Sequence, residues 1–100
     1  MNAPLKVICV GKSGQREWLT KAEEMSSRGM YFLLPEKLKI GTAINFVLTL
    51  SPEDSREAVR MTGAGRVRRV EELPDGSFGI PASVDRYEFE RPDQSHGFEP

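Results

Sequence analysis

Residues 43–50, Ala-Ile-Asn-Phe-Val-Leu-Thr-Leu, alternate with a period of two: Ile44, Phe46, Leu48 and Leu50 share one side, Asn45 and Thr49 the other. Successive side chains of an extended chain point to opposite faces, so this spacing builds a strand with one face in a core and one in solvent. Half-buried strands of this kind belong to antiparallel sheets, because parallel sheets are covered on both faces. The same period returns in residues 59–67. Val59, Met61, Gly63, Gly65 and Val67 face one way, and Arg60, Thr62, Arg66 and Arg68 the other. Val70 falls out of phase, which predicts a bulge near Arg68-Arg69.

Further strand signals flank these two. Residues 5–10 form a short β-branched run that ends at Gly11-Lys12-Ser13-Gly14, a turn sequence. Gly41 supplies a turn ahead of residue 43, and Pro74-Asp75-Gly76-Ser77 supplies another. Residues 78–84 alternate with Phe78, Ile80, Ala82 and Val84 inward. Pro81 has no backbone donor, which places that strand at an edge or on a bulge.

Two stretches read differently. Trp18, Leu19, Ala22 and Met25 recur at helical spacing, with Gly29 able to end a helix, so local propensity favours a helix over 15–28. Ser51-Pro52-Glu53-Asp54 carries a cap, a proline at the first helical position and acids after it, predicting one short helical turn near 52–58. Residues 91–100 are polar and interrupted by two prolines, a flexible C-terminal tail after a single domain over 1–90.

Charge and side-chain chemistry narrow the function. Fourteen Lys and Arg against fifteen Asp and Glu give a net charge of -1, which counts against a partner held through phosphate contacts. Arg60, Arg66, Arg68 and Arg69 are the densest basic cluster, yet no aromatics interleave with them to stack bases. Gly11-Lys12-Ser13 lacks the preceding glycine of a phosphate-binding loop, since Lys6 stands there. Cys9 is the lone cysteine and His96 the lone histidine, so neither a disulfide nor a metal site is expected, and no cofactor. No nucleophile has a plausible base, so no enzymatic activity is expected. With neither a secretory nor a membrane-spanning run, the chain reads as cytoplasmic, without membrane insertion.

The order of signals over residues 18–89, about seven-tenths of the chain, resembles a PilZ domain, the bacterial receptor module for cyclic di-GMP. That family runs from a strand into an acid-x-Ser-x-x-Gly turn, then a short strand, a glycine turn, a long alternating strand, a basic strand and a closing strand. The corresponding segments here are 18–23, Glu24-Met25-Ser26-Ser27-Arg28-Gly29, 30–33, Gly41, 44–50, 59–70 and 78–84. The resemblance implies an all-β fold, a six-stranded antiparallel PilZ-like β-barrel, with residues 15–23 extended instead of helical. It assigns ligand contacts to Glu24, Ser26 and Gly29.

Two departures weaken that site. The family places Asp or Asn where Glu24 stands, and one extra carbon moves the carboxylate by about 1.5 Å. The family's Arg-x-x-x-Arg arm ahead of the first strand is missing, since only Met1-Asn2-Ala3-Pro4 precede it; Lys12 and Arg16 have the spacing but follow that strand. Each bidentate arginine contact to guanine contributes about 1–3 kcal/mol. Losing two weakens binding by roughly a hundredfold or more. The expectation is a degenerate PilZ-like regulatory module that contacts an unidentified protein partner and binds cyclic di-GMP weakly or not at all. The alternative is a working cyclic di-GMP receptor with Lys6, Arg16 or Arg28 as substitute cations. A third reading, a small barrel binding nucleic acid through its arginines, is disfavoured by the isoelectric point of about 5.8.

Overall fold

The computed structural model describes residues 2–11, 14–50 and 59–90. Among these residues there are eight strands and no helix: β1 Ala3–Gly11, β2 Gly14–Met25, β3 Gly29–Leu34, β4 Ala43–Leu50, β5 Val59–Arg66, β6 Glu71–Glu72, β7 Phe78–Ser83 and β8 Arg86–Glu90. They make one antiparallel sheet in the order β6-β7-β3-β2-β1-β4-β5-β8. Lys12, Ser13, the expected helical turn at 52–58 and the expected tail at 91–100, with His96, lie outside the described residues.

The long first hairpin replaces the helix that local propensity favours. β1 and β2 pair without interruption from Ala3 with Ala22 to Gly11 with Gly14. Trp18, Thr20 and Ala22 therefore share a face with Val7, Leu5 and Ala3, while Leu19 points outward and is 83% exposed. The register shifts between Ala22 and Glu24, so Met25 returns to the inner side. That bulge is why the stretch alternates poorly when read residue by residue. Pairing with a neighbour on each side outweighs the small helical preference.

The inner face carries the core. Leu5, Val7, Phe32, Leu34, Ile44, Phe46, Leu48, Val67 and Ile80 are fully buried, and no buried residue among those described is polar. Burying each such side chain contributes about 1.5–3 kcal/mol. The alternation in β4 and β5 predicts this face correctly for Ile44, Phe46, Leu48, Met61 and Val67.

The expected closed six-stranded barrel does not form; the sheet is open and has eight strands among the described residues. It curls far enough for the end of β5 to meet β7: Val67, just past β5, forms an isolated bridge with Ala82, and the Arg66 amide donates to the Ser83 hydroxyl oxygen at 3.0 Å. On either side of that seam the same two segments pair again in short ladders, offset by one residue from the register of the bridge. β6 pairs with Phe78 and Gly79 of β7, and β8 pairs with residues 60–64 of β5. The phase slip after Val67 has its counterpart in the register: Val67 pairs with Ala82 and Glu71 with Gly79, so one extra residue lies between them, the irregularity expected near Arg68-Arg69. Val67 keeps its bonds on the β4 side, its amide donating to the Thr42 carbonyl at 2.9 Å and its carbonyl accepting from the Gly41 amide at 2.7 Å, while it bridges to Ala82. The Arg68 amide donates to the Pro81 carbonyl at 2.8 Å. In a strand, the N and O of one residue point to the same side, so the missing donor of Pro81 faces this seam, where no ladder needs it.

Two glycines make the crossing possible. A Cβ on Gly65 would stand 1.8 Å from the Ser83 carbonyl oxygen, and one on Gly63 would stand 2.4 Å from that of Arg86. The connection from β7 to β8 passes there, anchored by the Val84 amide donating to Arg28 O and the Asp85 amide to Ala64 O.

Candidate functional site

The bulge before Glu24 swings the chain into the turn that joins β2 to β3. The Ser26 amide donates to the Gly29 carbonyl at 2.8 Å, and the Ser26 hydroxyl oxygen accepts from the Arg28 amide at 3.3 Å and the Gly29 amide at 3.2 Å. The serine thus closes its own turn, the local pattern by which short hydroxyl side chains compete with ladder pairing. Gly29 opens β3 opposite Ser83, and a Cβ there would lie 3.2 Å from the Ala82 carbonyl. The tight approach that the resemblance assigns to this glycine is made to β7.

Glu24, Ser26 and Gly29 come together along an open groove of about 460 Å³ that also takes in Tyr31, Arg69 and Glu71. Tyr31 extends across Gly79, whose missing side chain leaves room for the ring; a Cβ there would fall 2.0 Å from the phenol oxygen. The phenol donates to Glu71 at 3.3 Å, and Arg69 donates to the other oxygen of Glu71 at 2.9 Å. Burial, then the nearby charge of Glu71, raises the Tyr31 pKa above its ordinary value. The hydrogen bond from Arg69 holds Glu71 below the usual carboxylate range. The groove is lined by two carboxylates against one guanidinium, and that guanidinium is already paired.

The residues proposed as substitute cations do not converge there as a group. Arg28 flanks Ser26 within the turn. Lys6 lies in β1 opposite Leu19, with Glu17 at 4.0 Å. Arg16 lies in β2, stacked 4.9 Å over the Trp18 ring and bonded to Glu36. At ~3.3 Å per residue, Arg16 is about 26 Å along β2 from Glu24. Two hydrogen bonds, first from Arg16 and then from Trp18, hold the Glu36 pKa low.

Arg69 is the cation that the fold does deliver. It is forty positions beyond Gly29 in sequence, and only the β3–β7–β6 pairing brings it near. Nothing in its sequence neighbourhood separates it from the other arginines. Those are dispersed: Arg60 pairs with Glu90 at 3.5 Å, and Arg66 donates to the Gly41 carbonyl at 3.4 Å. No group of metal-ligating side chains occurs among the described residues, and no helix among them is long and apolar enough to cross a membrane. No family model, no curated protein and no solved structure matches the chain.

Proposed function

We propose that the chain is a PilZ-like regulatory module that acts by contact with a protein partner and binds cyclic di-GMP weakly or not at all. The observation that carries this reading is the state of the short turn. Its serine and glycine stand at the mouth of a groove, yet the serine hydroxyl is spent on two amides of its own turn. The acidic lining further disfavours a phosphate-bearing ligand, since two carboxylates face one paired guanidinium. The curl from β4 through β1, β2 and β3 to β7, with the end of β5 meeting β7 at the Val67–Ala82 bridge, supports the family likeness.

Isothermal titration with cyclic di-GMP tests the reading. The expected result is no saturable heat in the micromolar range, and stoichiometric micromolar binding would overturn it. The receptor alternative draws its support from Arg28 and Arg69 beside the groove. It requires Ser26→Ala, Arg28→Ala and Arg69→Ala each to weaken nucleotide binding.

A further inference from the structure

We propose that the free edge of β8 pairs with the β8 of a second copy of this chain, antiparallel, about a two-fold axis at Tyr87. The inference concerns a different face from the groove and stands independently of its reading.

The two edges of the sheet differ in how they are protected. β6, at one edge, is two residues long and offers almost no ladder. β8, at the other, is five residues long, exposed at every position and, among the described residues, paired on one side only. Its register with β5 runs from Arg60–Glu90 to Ala64–Arg86 without a shift, and it holds neither proline nor lysine. Bulges and prolines, two usual guards against strand addition, are absent from β8; its remaining guards are the charges of Arg86, Glu88 and Glu90, which a pairing strand must match.

The sequence of the edge is complementary to itself. Tyr87 and Phe89 lie on the inner side, opposite Gly63 and Met61, where β8 runs past the covered core. Tyr87 is 41% exposed and Phe89 56%, with their rings edge to face at 5.7 Å. Arg86, Glu88 and Glu90 occupy the other side. Glu90 is held within the chain by Arg60, whereas Arg86 and Glu88 make no ion pair among the described residues.

A two-fold axis perpendicular to a continuous sheet keeps like faces together, so each β8 residue meets one an even number of places away. With the axis at Tyr87, Arg86 stands opposite Glu88 of the second copy, and Glu88 opposite its Arg86. Tyr87 meets its own counterpart, and Phe89 stands opposite Asp85 of the second copy, with its ring against Tyr87 of its own chain. Moving the axis to Glu88 would pair Arg86 with Glu90 and Tyr87 with Phe89 of the second copy, but it would set two carboxylates face to face at the axis and draw on Glu90, which Arg60 already holds. Like charges facing across a ladder destabilise it; the Tyr87 register has none, makes both Arg86–Glu88 contacts and leaves Glu90 with Arg60, which selects it.

Sedimentation velocity of the full chain over a micromolar-to-millimolar dilution series tests this. A reversible dimer of twice 11.2 kDa is expected. Glu88→Arg sets guanidinium against guanidinium twice and should weaken the dimer about tenfold or more. Arg86→Glu should do the same, and the double exchange Arg86→Glu with Glu88→Arg should restore it. Circular dichroism of each variant checks that the monomer keeps its fold, which these exposed positions permit. A chain monomeric throughout the series would overturn the proposal. So would a dimer indifferent to either reversal, or one that the double exchange fails to restore.

Discussion

Ser26 accepts from two backbone amides, so removing its hydroxyl leaves two turn donors without that partner. Ser26→Ala is expected to lower the unfolding free energy by about 1 kcal/mol, measured by urea denaturation. A variant as stable as the parent would show that the hydroxyl does not hold the turn. Gly65 presents a steeper case. The Ser83 carbonyl stands 1.8 Å from where its Cβ would be, and backbone cannot yield as a side chain can. Gly65→Ala should cost about 1–3 kcal/mol or more, seen as a lowered midpoint in the same measurement. Sequence places Gly65 correctly on the inner face but gives no sign of what crosses it, because Ser83 is eighteen positions away. For Ser26 the residue type is legible and its use is not. A serine three places before a glycine suits a ligand clamp and a self-closed turn equally.

β2 shows why one element can be misread while its neighbours are plain. β4 alternates cleanly because it is straight and has one buried face. β2 contains a register shift and mixes exposed Leu19 with buried Ala22, so its apolar residues mimic a helical stripe. The two readings make opposite demands on these side chains. Leu19→Thr should change stability by no more than about 0.5 kcal/mol, since the side chain faces solvent. Ala22→Leu should cost about 1–3 kcal/mol by overfilling the core. Chemical denaturation of both variants checks this, and a large loss from Leu19→Thr would restore the helical reading. β6 and β8 escape the sequence reading for a different reason. β6 is too short to show a period, and β8 alternates only through Tyr87 and Phe89, which lie on the inner side but stay exposed.

Across the molecule, acid acts through exposed carboxylates. Hydrogen bonds lower the pKa of Glu36 and Glu71 from an ordinary 4.5, chiefly through Arg16 and Arg69, and that of Asp75 from 3.8, chiefly through Ser77. Each group binds its proton more weakly folded than unfolded. Its contribution is therefore present above the ordinary value and lost as pH falls through the lowered one. Thermal melting followed by circular dichroism should show a temperature steady from neutral pH to about 5 and declining below 4.5. A melting temperature that rises on acidification through this window would exclude these pairs as stabilising. The strand order also has a consequence for synthesis. Of the described strands β1 is made first, yet it lies inside the sheet, between β2 and β4. The sheet therefore starts from an inner strand as the chain emerges, with β2 added at once and β4 next on the other side. β8 comes last of the described strands and covers the edge of β5. A nascent chain halted before residue 86 would leave β5 uncovered along residues 60–64, with Gly63 open where the Arg86 carbonyl belongs.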